Sequence, residues 1–179
     1  MAVTVKAVRK AFGLLYESIL DRNFCKTLDF NKWSESELLP LVRTFLLGYF
    51  GHRYPEEWVR LPSAPSEWGR IDFQIGDVAV EFAVRRPGDR KGPLSAKVNQ
   101  TEMIKLLMYD GPALLVLFDF SQHPFEETDI ERFRDYPSLG RGNFKRSAFN
   151  VAYFHIESAR PLTCGCISKN IRIAKRSKR

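Results

Sequence analysis

The stretch that most constrains the fold runs from Gly69 to Arg86 and reads as two short strands joined by a tight turn. Gly76 and Asp77 are a pair typical of hairpin turns, and alternating segments flank them. Successive side chains of a strand point to opposite faces. The polar faces predicted in this way carry Arg70, Asp72 and Gln74 on the first strand and Glu81, Ala83 and Arg85 on the second. The opposite, apolar faces carry Ile71, Phe73 and Ile75, and Val80, Phe82 and Val84.

If the two polar faces coincide, Asp72 and Glu81 form an acidic pair on a sheet whose other side is apolar. Neighbouring carboxylates repel, and such a pair is normally tolerated when a divalent cation or a basic side chain lies between them. A purely structural alternative stays open. Arg85 with Asp72, or Arg70 with Glu81, would then form an ion pair across the hairpin, which contributes little if it is exposed.

The periodicity along the rest of the chain predicts helices and strands on both sides of this hairpin. Apolar spacing and capping residues predict two helices before it, and a breaker-rich loop and a further helix after it. A continuous apolar run then indicates a strand buried on both faces. In chain order the predicted elements are helices at 5–21 and 34–51, a strand at 57–61, the hairpin, a helix at 95–109, the buried strand at 113–119, a short helix at 126–134 and a strand at 150–156.

The hairpin carries one acidic residue on its first strand and a second, at the start of a Glu-x-x segment, on its second strand. This pattern resembles the core of the PD-(D/E)XK nucleases, which share the restriction-endonuclease-like fold. The resemblance covers about residues 32 to 120, and it matches the first carboxylate to Asp72 and the second to Glu81. It implies an αβββαβ core, and the order helix, three strands, helix, buried strand was obtained from periodicity independently. Two positions depart from the family pattern, since Ile71 stands where proline is expected and Ala83 where lysine is expected.

The resemblance implies that Asp72 and Glu81 hold Mg²⁺ or Mn²⁺ and that another side chain replaces the missing lysine. Lys97 and Gln100, from the following helix, are the expected replacements, and Lys105 is a weaker option. Arg85 shares a strand face with Glu81, but its guanidinium stays protonated and so would orient phosphate without acting as a base. A helix before the sheet often adds an acid to such a site, and Glu35 and Glu37 are the candidates; acids in a first helical turn more commonly interact with the helix dipole.

Charge is distributed unevenly along the 179 residues, whose net charge is +7. Residues 140–179 hold ten Lys or Arg against one acid, Glu157, which makes this segment +9 and leaves the first 139 residues at −2. Such asymmetry indicates a surface for a polyanion, most often nucleic acid, although a solubilising tail is the alternative. The side chains expected to contact nucleic acid, DNA rather than RNA, are Arg85, Arg86, Arg141, Lys145, Arg146, Lys175 and Arg176.

Other classes of site have weaker support. Cys164 and Cys166 form a Cys-x-Cys pair, but the remaining cysteine and the three histidines are scattered, whereas structural zinc sites show two well-spaced ligand pairs. An odd number of cysteines favours a reducing compartment, and the first residues lack the apolar segment of a secretory signal. No apolar run approaches the roughly 18 residues that span a bilayer. We therefore expect a cytoplasmic protein without a membrane partner.

These observations predict one α/β domain over residues 1–163, with a mixed central sheet flanked by helices, and a basic C-terminal tail over 164–179. The expected function is a metal-dependent nuclease or a descendant of one. The alternative is a catalytically inactive nucleic-acid-binding module or complex subunit that keeps the fold. Many enzymes of this fold act as dimers, so a homodimer or another protein partner also stays open.

Overall fold

The computed structural model describes residues 2–24, 28–53, 59–60, 65–66, 69–136 and 144–173. Its helices are α1 (Val5–Leu20), α2 (Glu35–Arg53), α3 (Gln100–Met108) and α4 (Glu127–Glu131). Its strands are β1 (Val59–Arg60), β2 (Pro65–Ser66), β3 (Gly69–Arg70), β4 (Phe73–Ile75), β5 (Val78–Arg85), β6 (Ala113–Asp119), β7 (Ala148–Ala159) and β8 (Leu162–Arg172). In the described part of the chain, no helix is both long enough and apolar enough to cross a membrane.

A mixed, six-stranded sheet forms the centre of a single α/β domain, in the order β1-β4-β5-β6-β7-β8. The central strands β5, β6 and β7 are parallel, and antiparallel neighbours extend the sheet on both sides. The short strands β2 and β3 form a separate antiparallel pair. Seven consecutive buried residues make up β6, as expected for a strand with both faces covered.

Helices cover both faces of the sheet and so create two hydrophobic cores. On one face α1 and α2 pack against Phe73, Val80, Phe82 and other apolar residues of the strands. On the other face α3 and α4 pack against alternate residues of the same strands, including Ala79 and Ala83. The alternation predicted for β5 is therefore confirmed, because Val80 and Phe82 lie in one core and Ala83 in the other.

The helices before the sheet follow the predicted pattern. The Thr4 side chain accepts a hydrogen bond from the Ala7 N–H and so caps α1, whose buried stripe includes Val8, Phe12 and Ile19. At the start of α2, the Ser34 N–H and hydroxyl both donate to the Glu37 carboxylate, which so satisfies a backbone N–H at the beginning of the helix. This capping gives Glu37 a local structural role.

Three parts of the chain differ from the sequence-based expectations. Ile71 packs in the α3 core rather than with Phe73 and Ile75, because the alternation breaks between β3 and β4. The helix predicted from residue 95 begins at 100, after a short 3₁₀ turn, and Val98, expected to face inward, is 58% exposed. Residue 164, the expected start of the tail, lies inside β8, which pairs with β7 along 11 residues as far as Arg172.

Candidate active site

The hairpin of β4 and β5 places Asp72 and Glu81 opposite each other. Phe73 pairs with Val80 and Gln74 with Ala79, so continuing this register by one residue sets Asp72 against Glu81. Gly76 in the turn has φ 55°, a left-handed conformation that glycine adopts without strain. The Phe82 N–H donates to Asp72 Oδ2 at 2.9 Å, which fixes the Asp72 carboxylate beside β5. The predicted acidic pair is therefore brought together.

Lys105 completes this cluster from the face covered by α3. Its Nζ lies 3.1 Å from Glu81 Oε2, and the side chains of Lys105 and Glu81 are 15% and 1% exposed. The second Glu81 oxygen, Oε1, is buried and has no hydrogen-bond partner among the described residues. A buried carboxylate oxygen without a partner is costly, and such a group in a native structure calls for an explanation such as an absent ion or water.

The electrostatics of the cluster raise the pKa of both Asp72 and Glu81. Burial, followed by the neighbouring Asp72 charge, raises the pKa of Glu81 to about 9, although Lys105 acts in the opposite direction. Burial also raises the pKa of Asp72, against the effect of the Phe82 N–H. Burial lowers the pKa of Lys105, but Glu81, Asp72 and Glu102 together raise it above its usual value. Lys105 is therefore a cation that contacts Glu81 directly and is attracted by the nearby Asp72 and Glu102.

Two further acids lie at the border of the cluster, Glu35 at the start of α2 and Glu102 one turn before Lys105 on α3. Partial burial, then the charges of Asp72 and Glu102, raise the pKa of Glu35 to about 7, while its side chain keeps contact with solvent. Glu37 points away from this cluster toward Ser34, whose hydroxyl lowers its pKa. Of the two helix acids named from the sequence, Glu35 is thus the one beside the carboxylate pair.

The residues present are compatible with a magnesium-like ion, although a complete protein-only site is not formed. Across the described ranges, no three His, Cys, Asp or Glu side chains are arranged as a ready metal site. Mg²⁺, however, is usually bound through one or two carboxylates together with waters and substrate phosphates. Asp72, fixed by one hydrogen bond, and Glu81, with one oxygen unpaired, supply a donor set of that kind.

The two expected replacements for the missing lysine lie elsewhere. Lys97 is exposed in the turn before α3 and lines a different cavity, beside Phe125 and Arg132. Gln100 is half-buried at the first residue of α3 and lies about 140° around the helix from Lys105. Ala83, at the family's lysine position, is buried against α3. Lys105, the weaker option from the sequence, is the amine that contacts Glu81.

Arg85 occupies a buried ion pair instead of an accessible phosphate-binding position. Its guanidinium donates to both oxygens of Asp119, with Nε 2.9 Å from Oδ1, and to the His123 carbonyl. The Tyr153 hydroxyl donates to Asp119 Oδ2 at 2.5 Å, and the Ser121 N–H donates to Oδ1 at 2.9 Å. Because Arg85 is 1% exposed, the expected contact with nucleic acid is incompatible with this conformation. The ion pairs proposed across the hairpin are also absent from the described contacts of Arg85 and Glu81.

The other expected nucleic-acid contacts are distributed over several surfaces. Arg86 is exposed and pairs with Asp89, and Arg146 lies 3.5 Å from Asp110 near the end of α3. Lys145 is exposed beside Arg146, and the N–H groups of both residues donate to the Leu107 carbonyl. Arg141, Lys175 and Arg176 lie outside the described residues.

Sequence reasoning overlooked Glu102 and Asp119. A signal for each was present: Glu102 precedes Lys105 by three residues on one flank of an amphipathic helix, and Asp119 ends a continuous apolar strand, where an isolated charge requires a partner. No family model, curated protein or solved structure matches this chain. The site's geometry is therefore the basis for assigning a function.

Proposed function

We propose that this protein is a metal-dependent nuclease of the PD-(D/E)XK type, or a descendant of one, and that its substrate is DNA. The observation that carries the proposal is the Asp72–Glu81 pair, fixed across a hairpin, with the Lys105 amine 3.1 Å from Glu81. Two carboxylates and an amine are the groups that phosphodiester hydrolysis in this fold requires. Lys105 would thus supply from α3 the amine that Ala83, at the motif's lysine position on β5, does not have.

The topology supports the same proposal. Within the main sheet, the chain order is α2, β1, β4, β5, α3, β6, which corresponds to an αβββαβ core. The crossover through α3 joins two parallel strands, β5 and β6, and α3 carries Lys105 over the face of β5 that presents Glu81. A restriction-endonuclease-like fold is therefore the specific architecture that we propose for this α/β domain.

Each residue of the cluster has a chemical task in this proposal. Asp72 and Glu81 would hold Mg²⁺ or Mn²⁺, which supplies charge neutralisation at the scissile phosphate and a more acidic bound water. Lys105, released from Glu81, would orient the attacking water or donate to the phosphate oxygens. Glu35, whose pKa is raised to about 7 mainly by burial, is placed to accept a proton near neutral pH.

The experiment that tests the proposal combines metal binding with cleavage. Wild-type protein, Asp72→Asn and the matched control Asp77→Asn, an exposed acid in the turn of the same hairpin, are titrated with Mg²⁺ and Mn²⁺ by calorimetry. Plasmid and single-stranded DNA cleavage are assayed on the same samples. We expect binding and cleavage in the wild type and Asp77→Asn, and loss of both in Asp72→Asn. Cleavage that survives in Asp72→Asn would exclude this site.

One observation favours a second candidate, a catalytically inactive nucleic-acid-binding module or complex subunit. Ala83 has replaced the motif lysine, and Lys105 already neutralises Glu81 without any ion. A chain that had lost catalysis would need no further group than this internal cation. This candidate predicts salt-dependent DNA binding with no calorimetric signal for either metal and no cleavage.

A further inference from the structure

Two adjoining cavities open at the carboxyl ends of β5 and β6, away from the acidic cluster. The first, about 470 Å³, is lined by the loop at 87–91, by Arg85 and by residues 121–123. The second, about 400 Å³, lies between the turn before α3 and α4 and includes Phe125, Arg132 and Tyr136. Lys91 lines both, and we call them the Lys91 cavities. Their volumes fall in the range of small-ligand sites, and crevices at the carboxyl ends of parallel strands are common binding positions.

The lining of the Lys91 cavities has more cations than acids. The cations are Arg85, Arg90, Lys91, Lys97 and Arg132, and the acids are Asp89, Asp129 and Asp135. Asp89 is compensated by Arg86, Arg85 is compensated by the buried Asp119, and Lys91 pairs with Asp129. The charges that remain in the lining are Arg90, Lys97 and Arg132 against Asp135. Within the described part of the chain, Arg90 and Lys97 form no ion pair. The excess positive charge favours an anionic ligand.

Aromatic side chains add a second component of recognition. Phe125 lies beneath this cluster, with the Arg85 guanidinium 4.7 Å and the Lys91 amine 5.7 Å from its ring centre. Tyr136, which lines the second cavity, is 37% exposed and so can be reached by a base. Phe125 is only 6% exposed, so Tyr136 is the aromatic side chain available to a base, and it shares the second cavity with the cations Lys97 and Arg132. Such a combination suits a nucleotide, since cations recognise the phosphate and the aromatic ring recognises the base.

We propose that the Lys91 cavities bind a phosphomonoester, either the terminal phosphate of a nucleic-acid strand or a free mononucleotide. A phosphomonoester carries a charge of about −1.5 to −2 at neutral pH, more than an internal diester, and therefore gains more from Arg90 and Lys91. The inference rests on the proposed function, in that its ligand is a nucleic acid or a nucleotide. Arg85 marks the wall of the first cavity four residues beyond Glu81, a separation of about 13 Å along β5.

The test measures the contribution of an end phosphate to binding. Fluorescence anisotropy in EDTA compares one labelled single-stranded oligonucleotide with and without a phosphate on its free end, against wild-type protein. One charge-assisted hydrogen bond corresponds to about a tenfold change in affinity, so we expect the phosphorylated strand to bind about tenfold more tightly. Equal affinities for the two strands would overturn the proposal.

Variants locate the effect. We expect the preference for an end phosphate to be lost in Arg90→Gln combined with Lys91→Gln, and reduced in Arg90→Gln alone, which leaves the Lys91–Asp129 pair intact. Lys10→Gln, which removes an exposed cation from α1, is the matched control and should keep the full preference. A preference that persists in the double variant would place the phosphate elsewhere and overturn the proposal.

Two further measurements complete the test. The first distinguishes a strand end from a free mononucleotide, and the second distinguishes this inference from the nuclease proposal. If AMP displaces the phosphorylated strand, a free mononucleotide is a ligand of the Lys91 cavities. If the strand stays bound in the presence of excess AMP, the ligand is a strand end. Because EDTA removes divalent ions, Asp72→Asn should keep the end preference. An end preference in a protein that neither binds metal nor cleaves DNA would leave this inference standing while the nuclease proposal fails.

Discussion

Two ion pairs on one strand, Glu81–Lys105 and Arg85–Asp119, are four residues apart on β5 and differ in how completely their polar atoms are satisfied. Asp119 receives bonds from Arg85, Tyr153 and the Ser121 N–H, so both of its oxygens are paired. Glu81 has one oxygen bonded to Lys105 and one without a partner among the described residues. We call the Arg85–Asp119 group, in which both carboxylate oxygens are paired, the closed network. We call Glu81–Lys105, in which one carboxylate oxygen is unpaired, the open pair. The open pair has an acceptor left for a ligand, and the closed network has not. The difference favours a structural role for Arg85 and is compatible with the metal-binding role that we propose for Glu81.

The largest effect expected is on stability, when one partner of the closed network is removed. Asp119→Ala leaves the Arg85 guanidinium buried and unpaired, so we expect the free energy of unfolding to fall by about 3–5 kcal/mol. Urea denaturation followed by circular dichroism measures it. Replacing both partners, in Arg85→Met with Asp119→Leu, removes the uncompensated charge and should recover much of the loss. A loss as large in the double variant would contradict a role based on charge pairing.

Lys105 provides the corresponding test of the open pair, and its readout is activity. If Lys105 performs the task of the missing motif lysine, Lys105→Met should lower the cleavage rate by about 10²–10⁴-fold, the usual contribution of a positioned proton-transfer group. Lys97→Met, at the position first expected from the sequence, should lower the cleavage rate by a factor at least ten times smaller than Lys105→Met does. Comparable losses in the two variants would remove the assignment that distinguishes Lys105 from other nearby cations.

Per pH unit, a smaller effect is expected in the pH dependence of stability. Burial and Asp72 raise the pKa of Glu81 from 4.5 to about 9, so between these values the folded state holds a proton that the unfolded state has lost. The free energy of unfolding should therefore decrease as pH rises, by up to about 1.4 kcal/mol per pH unit for this one group. Thermal melts between about pH 5 and about pH 8 should show a shallower decline in Glu81→Gln than in the wild type. Identical slopes would mean that Glu81 ionises as freely as an exposed acid.

The same residues show how far the sequence determines the site. The hairpin, the Asp72–Glu81 pair and the bounds of β6 were predicted from period-two alternation and from one continuous apolar run, which are local signals. The choice between Lys97 and Lys105 depended on where α3 begins. Residues 95–99 form turns after the 3₁₀ helix at Gly92–Leu94, so α3 begins at residue 100 and Lys97 lines the cavity beside Phe125 and Arg132.

Long-range pairing explains the remaining differences. Arg85 was assigned to a polar face by alternation, but its environment depends on Asp119, 34 residues later on a neighbouring strand. The basic composition of the C-terminal end predicts a tail from residue 164, yet residues 164–172 belong to β8 through backbone pairing with β7. Neither contact leaves a periodic signal within its own segment, so single-sequence reasoning identified the residues and misjudged their surroundings.

A third ion pair, Arg86–Asp89, extends the comparison to the exposed end of β5 and should have the smallest effect. The Arg86 guanidinium donates two bonds of 3.1 Å to Asp89, but its side chain is 47% exposed, so water and salt compete with the pair. We expect Arg86→Gln to leave the free energy of unfolding in urea denaturation close to that of the wild type, because exposed ion pairs contribute little. A loss that approaches that of Asp119→Ala would show that burial does not rank the three pairs. An unchanged stability accompanied by weaker, less salt-dependent DNA binding would instead identify Arg86 as a backbone contact, as the sequence predicts.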